Sequence, residues 1–174
     1  KIITSLKEKY PEVETVVRNV LRDEAGTKVA GMSLGAVAAW SRTGATFDTA
    51  PHEYAHVYIN ALEGDPIIEQ AIKQFTEKGK TRKDAAEDLV QYIGEYYANR
   101  IQDKKLKNRI RIWWKQFVTR LKLRFGKMKL EDVDDIPQFI AEEFYQGRWV
   151  GEMGGFTEKT PRFQESDAPV DNSG

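Results

Sequence analysis

The stretch Thr49-Ala50-Pro51-His52-Glu53-Tyr54-Ala55-His56-Val57-Tyr58-Ile59-Asn60-Ala61-Leu62 decides how the rest of the chain is organised. Pro51 suits a first helical turn, where a missing N–H leaves no hydrogen bond unmade. Residues four apart share a helix face, so His52 and His56 can aim both imidazoles at one point. Neutral imidazoles are good zinc ligands, bonding at about 2.0–2.1 Å. Glu53, one residue past the first histidine, sits off the ligand axis, where its carboxylate could take a proton from a water activated by the metal. The chain has only two histidines, and both are here. The plainer alternative is a pair of histidines on an amphipathic helix.

A catalytic zinc needs a third protein ligand and an open fourth position. With no further histidine and no cysteine, that ligand must be a carboxylate. The metzincin pattern, which asks for Gly at 59 and His at 62, is excluded by Ile59 and Leu62. Glu95, in Glu95-Tyr96-Tyr97-Ala98-Asn99 on a long downstream helix, is the first choice. It lies roughly opposite the Ile93/Tyr97/Ile101 stripe, on a polar face with Asp88, Tyr92 and Asn99. Asp88 is the rival, with Glu63 and Asp65 behind it. Tyr92 and Tyr96, on or beside that face, are candidate donors to a developing oxyanion, against the alternative that each packs its ring on a neighbouring helix.

The segment Thr46-Phe47-Asp48-Thr49-Ala50-Pro51-His52-Glu53-Tyr54-Ala55-His56 resembles the HExxH entry of ImmA/IrrE-like metallopeptidases, which are gluzincins. Glu95-Tyr96-Tyr97-Ala98-Asn99-Arg100 is similar to their Glu-x-x-Ala-Asn motif, so the likeness spans about Ala36 to Arg100. It implies a zincin-like core, Zn2+ held by His52, His56 and Glu95, Glu53 as the base, and zinc-dependent cleavage of a peptide or protein substrate. The gap from His56 to Glu95 is long for that family. A Trp- and Lys-rich helix after such a domain also resembles peptidase-like segments of very large phage and mobile-element proteins. That likeness implies a piece of a longer polyprotein, a host-cytoplasmic or virion location, and the parent polyprotein as a partner. The alternative function is a non-catalytic zinc-binding or nucleic-acid- or protein-binding module.

Around the motif, the spacing of Ile3, Leu6 and Tyr10 predicts a helix. A second is predicted from Pro11 through Val13, Val16, Val17, Val20 and Leu21. Ala36–Phe47, with a Ser41-Arg42-Thr43-Gly44 turn, predicts a short hairpin that could also pair with an extended peptide. Asp65-Pro66, Thr81 with Asp84, and Asp134-Asp135-Ile136-Pro137 open further helices, and Gly147 closes the last. The expected class is mainly α with one β-hairpin. The expected domains are a metallopeptidase unit over 1–103, a basic aromatic helix plus a last helix over 104–150, and a disordered tail over 151–174.

Composition sets the outer bounds. The chain has 174 residues, 40% of them apolar, and 27 basic residues balanced by 27 acidic ones. No apolar run is long enough to span a bilayer. Charge is nonetheless segregated: residues 104–129 hold no acidic residue. Leu106, Ile110, Trp113, Phe117, Leu121 and Phe125 run through them at helical spacing. A basic amphipathic helix of this kind can touch phosphates or an anionic membrane surface, and Arg120, Lys122, Arg124 and Trp114 are the candidate nucleic-acid contacts there. Packing against Glu131–Asp135 and Glu142-Glu143 is the alternative.

Overall fold

The computed structural model describes residues 1–22, 24–29, 31–34, 36–42, 44–46, 49–76 and 79–150. The expected tail over 151–174 lies outside them. The architecture is mainly α-helical with small sheets. Helix α1 (Ile2–Lys9) is followed by strands β1 (Glu14–Arg18), β2 (Leu21–Arg22), β3 (Lys28–Val29), β4 (Gly31–Leu34) and β5 (Val37–Ser41). Helices α2 (Thr49–Ala61), α3 (Pro66–Thr76), α4 (Arg82–Gln102), α5 (Leu106–Arg124) and α6 (Ile136–Gln146) complete it, with a 3-10 turn at Leu130–Asp132.

The helix predicted from Pro11 is a strand instead. Thr15, Val16 and Val17 are β-branched, stiff at χ1 and better suited to a pleated surface. They pair in parallel with β5, from Glu14 opposite Val37 to Arg18 opposite Ser41. The spacing that looked helical is overridden by this distant partner. The predicted hairpin is also displaced. β5 pairs antiparallel with the preceding β4, Gly31 opposite Trp40 and Leu34 opposite Val37, so the sheet order is β1-β5-β4. Ser41 O accepts from Ala45 N at 2.9 Å, and the next described element is α2; Thr43 and Phe47 of the predicted hairpin lie outside the described residues.

The helix signals agree with the structure. Asp65 Oδ1 accepts from Ile67 N at the head of α3. Thr81 Oγ1 accepts from Asp84 N, and Asp135 Oδ1 from Gln138 N. Gly147, at φ 77°, ends α6 in the left-handed conformation that glycine adopts without strain.

The core is unusually rich in tyrosine. Tyr10, Tyr54, Tyr58 and Tyr97 are fully buried with Phe144, binding α1, α2, α4 and α6 together. Tyr10 stacks on Phe144 with centroids 5.2 Å apart, and Tyr58 stacks on Trp149 at 4.8 Å. The hydroxyls of Tyr10, Tyr58 and Tyr97 find partners far along the chain, whereas that of Tyr54 is buried without one among the described residues. Tyr10 donates to Phe144 O at 2.5 Å, and Tyr58 donates to Arg148 O while accepting from Val150 N. Residues of α6 thus belong to the same core as α1 and α2. Below them, Glu142 and Glu143 are buried side by side. Glu142 takes Tyr96 Oη at 2.5 Å, Gln146 Nε2 and the Arg100 guanidinium. Glu143 takes Gln116 and Arg148. No helix among the described residues is long and apolar enough to cross a membrane.

Burial pushes the phenols of Tyr54 and Tyr97 up to about 12 and those of Tyr10 and Tyr58 well above their ordinary value. A phenol that titrates later in the folded chain than in the unfolded one contributes stability that is complete below pH ~10 and lost as pH rises further. The unfolding free energy should therefore fall steeply above pH ~10. Phenolate absorbance should appear together with loss of helical circular dichroism. Full ionisation of all seven tyrosines in a still-folded chain would contradict this account.

Candidate metal centre

The centre is built where α4 crosses α2. The crossing point is Gly94, in the middle of α4. A Cβ added there would lie 3.0 Å from both Cα and N of His52, so any side chain at this position would force the two backbones apart by a few tenths of an ångström. That approach brings the first turns of α4 over the outward face of α2. Glu87, nearly two turns before Gly94, then reaches both histidines. His52 Nε2 is 3.0 Å from Glu87 Oε1, and His56 Nε2 is 3.0 Å from Glu87 Oε2. The imidazole rings are 4.8 Å apart in an edge-on arrangement.

One ligand atom from each of His52, His56 and Glu87 lies within 4.8 Å of the others, and the cluster could hold a metal ion. Ligands on tetrahedral bonds of about 2.05 Å stand roughly 3.3 Å apart; the two nitrogen–oxygen separations of 3.0 Å are close to that, while the cluster as a whole spreads up to 4.8 Å and would have to close around an ion. The histidine side chains are 26% and 25% exposed and Glu87 is 49% exposed, so an ion can reach the site from solvent. Burial lowers the pKa of His56 and favours the neutral imidazole that ligation requires. The charge and hydrogen bond of the Glu87 carboxylate act in the opposite direction, the neighbouring His52 adds to the lowering, and the net shift is downward.

Glu53 is buried at the same place. It packs against β4 at Gly31, where an added Cβ would meet Glu53 Cγ and Oε1 at 2.8 Å. Burial, then the charge of Glu87, pushes its carboxyl up to about 8. A cation at the cluster would act in the reverse sense. A cleft of about 330 Å³ opens beside it, lined by Gly31, Thr46, Thr49, His52, Glu53, Gln91 and Glu95. Its rim is ordered by Thr49, whose Oγ1 accepts from Thr46 N at 2.9 Å.

The other residues singled out in the sequence fall in different places. Glu95 is in the wall of this cleft but exposed, and its Oε1 accepts from Gln91 Nε2 at 2.9 Å. Asp88 pairs with Lys80 on the flank of α4. Glu63 is exposed in the turn after α2, and Asp65 heads α3. Tyr96 gives its hydroxyl to Glu142, and Tyr92 stacks on Tyr96, so both tyrosines turn toward α6. On α5, Arg120 faces Glu143 at 3.5 Å, while Lys122, Arg124 and Trp114 are exposed. Glu87 was missed by reasoning from motifs. Its signal was the helical spacing Glu87, Gln91, Glu95, together with a glycine inside a long helix, which marks close approach of another backbone.

Comparison of the chain with models of known families, with curated proteins and with solved structures finds no match in any of the three. The likeness to ImmA/IrrE-like gluzincin peptidases, and with it to peptidase segments of phage and mobile-element proteins, is therefore corrected. The cluster is drawn from His52, His56 and Glu87, dispersed over two helices, and not from the ligand set with Glu95 that the likeness implied. The extra residues between His56 and the Glu-x-x-Ala-Asn motif are the physical reason. They form α3 and the first turns of α4, and those turns carry their own carboxylate to the histidines.

Gly94→Ala tests the crossing directly. Its methyl group meets helix backbone, which cannot rotate away, so the substitution should cost about 1–3 kcal/mol in denaturant unfolding. Ala98→Gly on the same helix loses helix propensity and a buried methyl group, and should cost roughly 1–2 kcal/mol. Equal stability of Gly94→Ala and the parent chain would remove the argument for close approach.

Proposed function

We propose that this protein is a zinc-binding module whose ion is held by His52 and His56 on α2 and by Glu87 on α4. The observation that carries this reading is the convergence of the two imidazoles on the two oxygens of one carboxylate, each at 3.0 Å. Two nitrogens and one oxygen from a cysteine-free chain are a donor set suited to zinc, and three protein ligands leave a coordination position free. A zinc ion there would supply Lewis-acid chemistry, polarising a carbonyl oxygen brought to it.

A second reading, hydrolysis of a peptide bond, is favoured by one specific feature. Glu53 shares the cleft with His52 and is the buried acidic group among the described residues lining it; with a cation at the cluster to offset the effect of burial, its carboxylate could accept and return a proton. The open cleft beside it is at the lower end of the range that encloses a small ligand. Thr46 and Thr49 would orient a bound chain through their hydroxyls.

Metal content by mass spectrometry should give one zinc per chain. His56→Ala and Glu87→Ala should each retain less than about a tenth of an equivalent, with helical circular dichroism preserved. Glu95→Ala and Glu53→Gln should stay loaded. Metal kept by Glu87→Ala but lost by Glu95→Ala would overturn this ligand set. Cleavage of a peptide library, abolished by a chelator and by Glu53→Gln, would establish the second reading. Loaded protein that cleaves nothing leaves a binding module.

A further inference from the structure

Helix α5 presents its apolar stripe to solvent. Leu106, Ile110 and Phe125 are 66%, 57% and 67% exposed, with Trp113, Trp114 and Leu121 between them. The seam seen at helical spacing in the sequence is therefore not covered by the described core. α5 meets the core through Gln116 and Leu123, Gln116 donating to Phe139 O and Glu143 Oε1. At about 100° per residue, the exposed stripe is centred roughly 140° from that buried face. It continues for the whole helix and is interrupted only by Arg124. Trp113 stacks on Phe117 at 5.3 Å, giving the stripe a flat aromatic centre. Lys107, Arg111, Lys115 and Lys122 line one border and Arg109 the other, while Arg120 turns inward to Glu143. Residues 104–129 hold eleven of the chain's 27 basic residues and none of its acidic ones.

We propose that α5 lies on an anionic lipid surface, its Leu/Ile/Trp/Phe stripe entering the boundary between headgroups and acyl chains while the flanking lysines and arginines reach lipid phosphates. The placement of charge selects this occupant. Cations sit on both rims and large apolar side chains fill the middle, which is the pattern of an interfacial helix. Tryptophan suits that depth because it is apolar with one polar edge. A nucleic acid would place its phosphates over Leu106, Ile110 and Leu121 and bring no apolar surface to cover them, although its bases could stack on Trp113. The inference is independent of the metal centre, and chelation should not alter it.

The chain carries its own reporter. Trp40 and Trp149 are 4% and 7% exposed, whereas Trp113 and Trp114 are 47% and 58% exposed, so a change in tryptophan emission reports α5. In vesicle flotation, the whole protein should bind phosphatidylcholine vesicles containing about a third phosphatidylglycerol at least tenfold more tightly than pure phosphatidylcholine vesicles. Binding should shift its emission to the blue and should weaken with salt. Two variants test the two halves of the pattern, both at exposed positions: Ile110→Ser with Leu121→Ser, and Lys115→Glu with Lys122→Glu. Each should lower vesicle binding about tenfold or more with unchanged circular dichroism. A single-stranded oligonucleotide is the competing probe. The proposal fails if the protein ignores anionic vesicles. It also fails if both variants bind them as the parent does, or if the oligonucleotide binds tightly while vesicles do not.

Discussion

Two helix backbones in van der Waals contact set the limits for everything else in this protein. At Gly94, α4 passes against the backbone of His52 with no room for a methyl group. This contact fixes the height and rotation of α4 over α2, and so decides which α4 side chains can reach the histidines. With the helices a side chain's width further apart, a glutamate would no longer span both imidazoles. The cluster of His52, His56 and Glu87 is thus a consequence of a packing detail that lies outside it. The same is true on the other side of α2, where Gly31 of β4 leaves the space that the Glu53 carboxyl fills.

Holding helices that close requires stiffness around the crossing, and the aromatic cluster supplies it. Tyr54 and Tyr58 of α2, Tyr97 of α4, Tyr10 after α1 and Phe144 of α6 meet in one buried group. Their rings have few rotamers to lose, and the hydroxyls of Tyr10 and Tyr58 tie to backbone atoms far away in sequence. Glu142 and Glu143 extend the lock outward. A buried carboxylate is costly unless every oxygen is matched, and here Tyr96, Arg100, Gln116, Gln146 and Arg148 match them. This network uses the two residues of α4, Tyr96 and Arg100, that point away from the histidine–Glu87 cluster. One helix therefore serves two polar assemblies on opposite faces, with the apolar stripe between them.

What could be read from the chain depended on how local the cause was. Helix starts at Thr81 and Asp135 and the stop at Gly147 are decided within four residues, and they were legible. The histidine pair was legible for the same reason, being fixed by the pitch of a single helix. The strand at Glu14–Arg18 was not, because only pairing with Val37–Ser41 distinguishes it from the helix its valine spacing suggests. Glu87 was hidden for a similar reason. Glu87 and Glu95 share a face of α4, and the residue that meets the histidines depends on where Gly94 sets the crossing. Motif likeness favoured Glu95, while the packing brought Glu87 to the imidazoles.

The stripe on α5 exposes a further limit of periodicity. Apolar residues at helical spacing say that a face avoids water, but not whether the protein's own core covers it. Here Gln116 is buried because Glu143 and Phe139 O need a donor between α5 and α6, and that demand sets the rotation of the helix. Once Gln116 faces inward, Trp113, Ile110 and Leu121 must face outward, whatever their hydropathy. The buried pair Glu142-Glu143 thus acts in two places. Through Tyr96 and Arg100 it steadies the helix that carries Glu87, and through Gln116 it turns the apolar side of α5 to the outside.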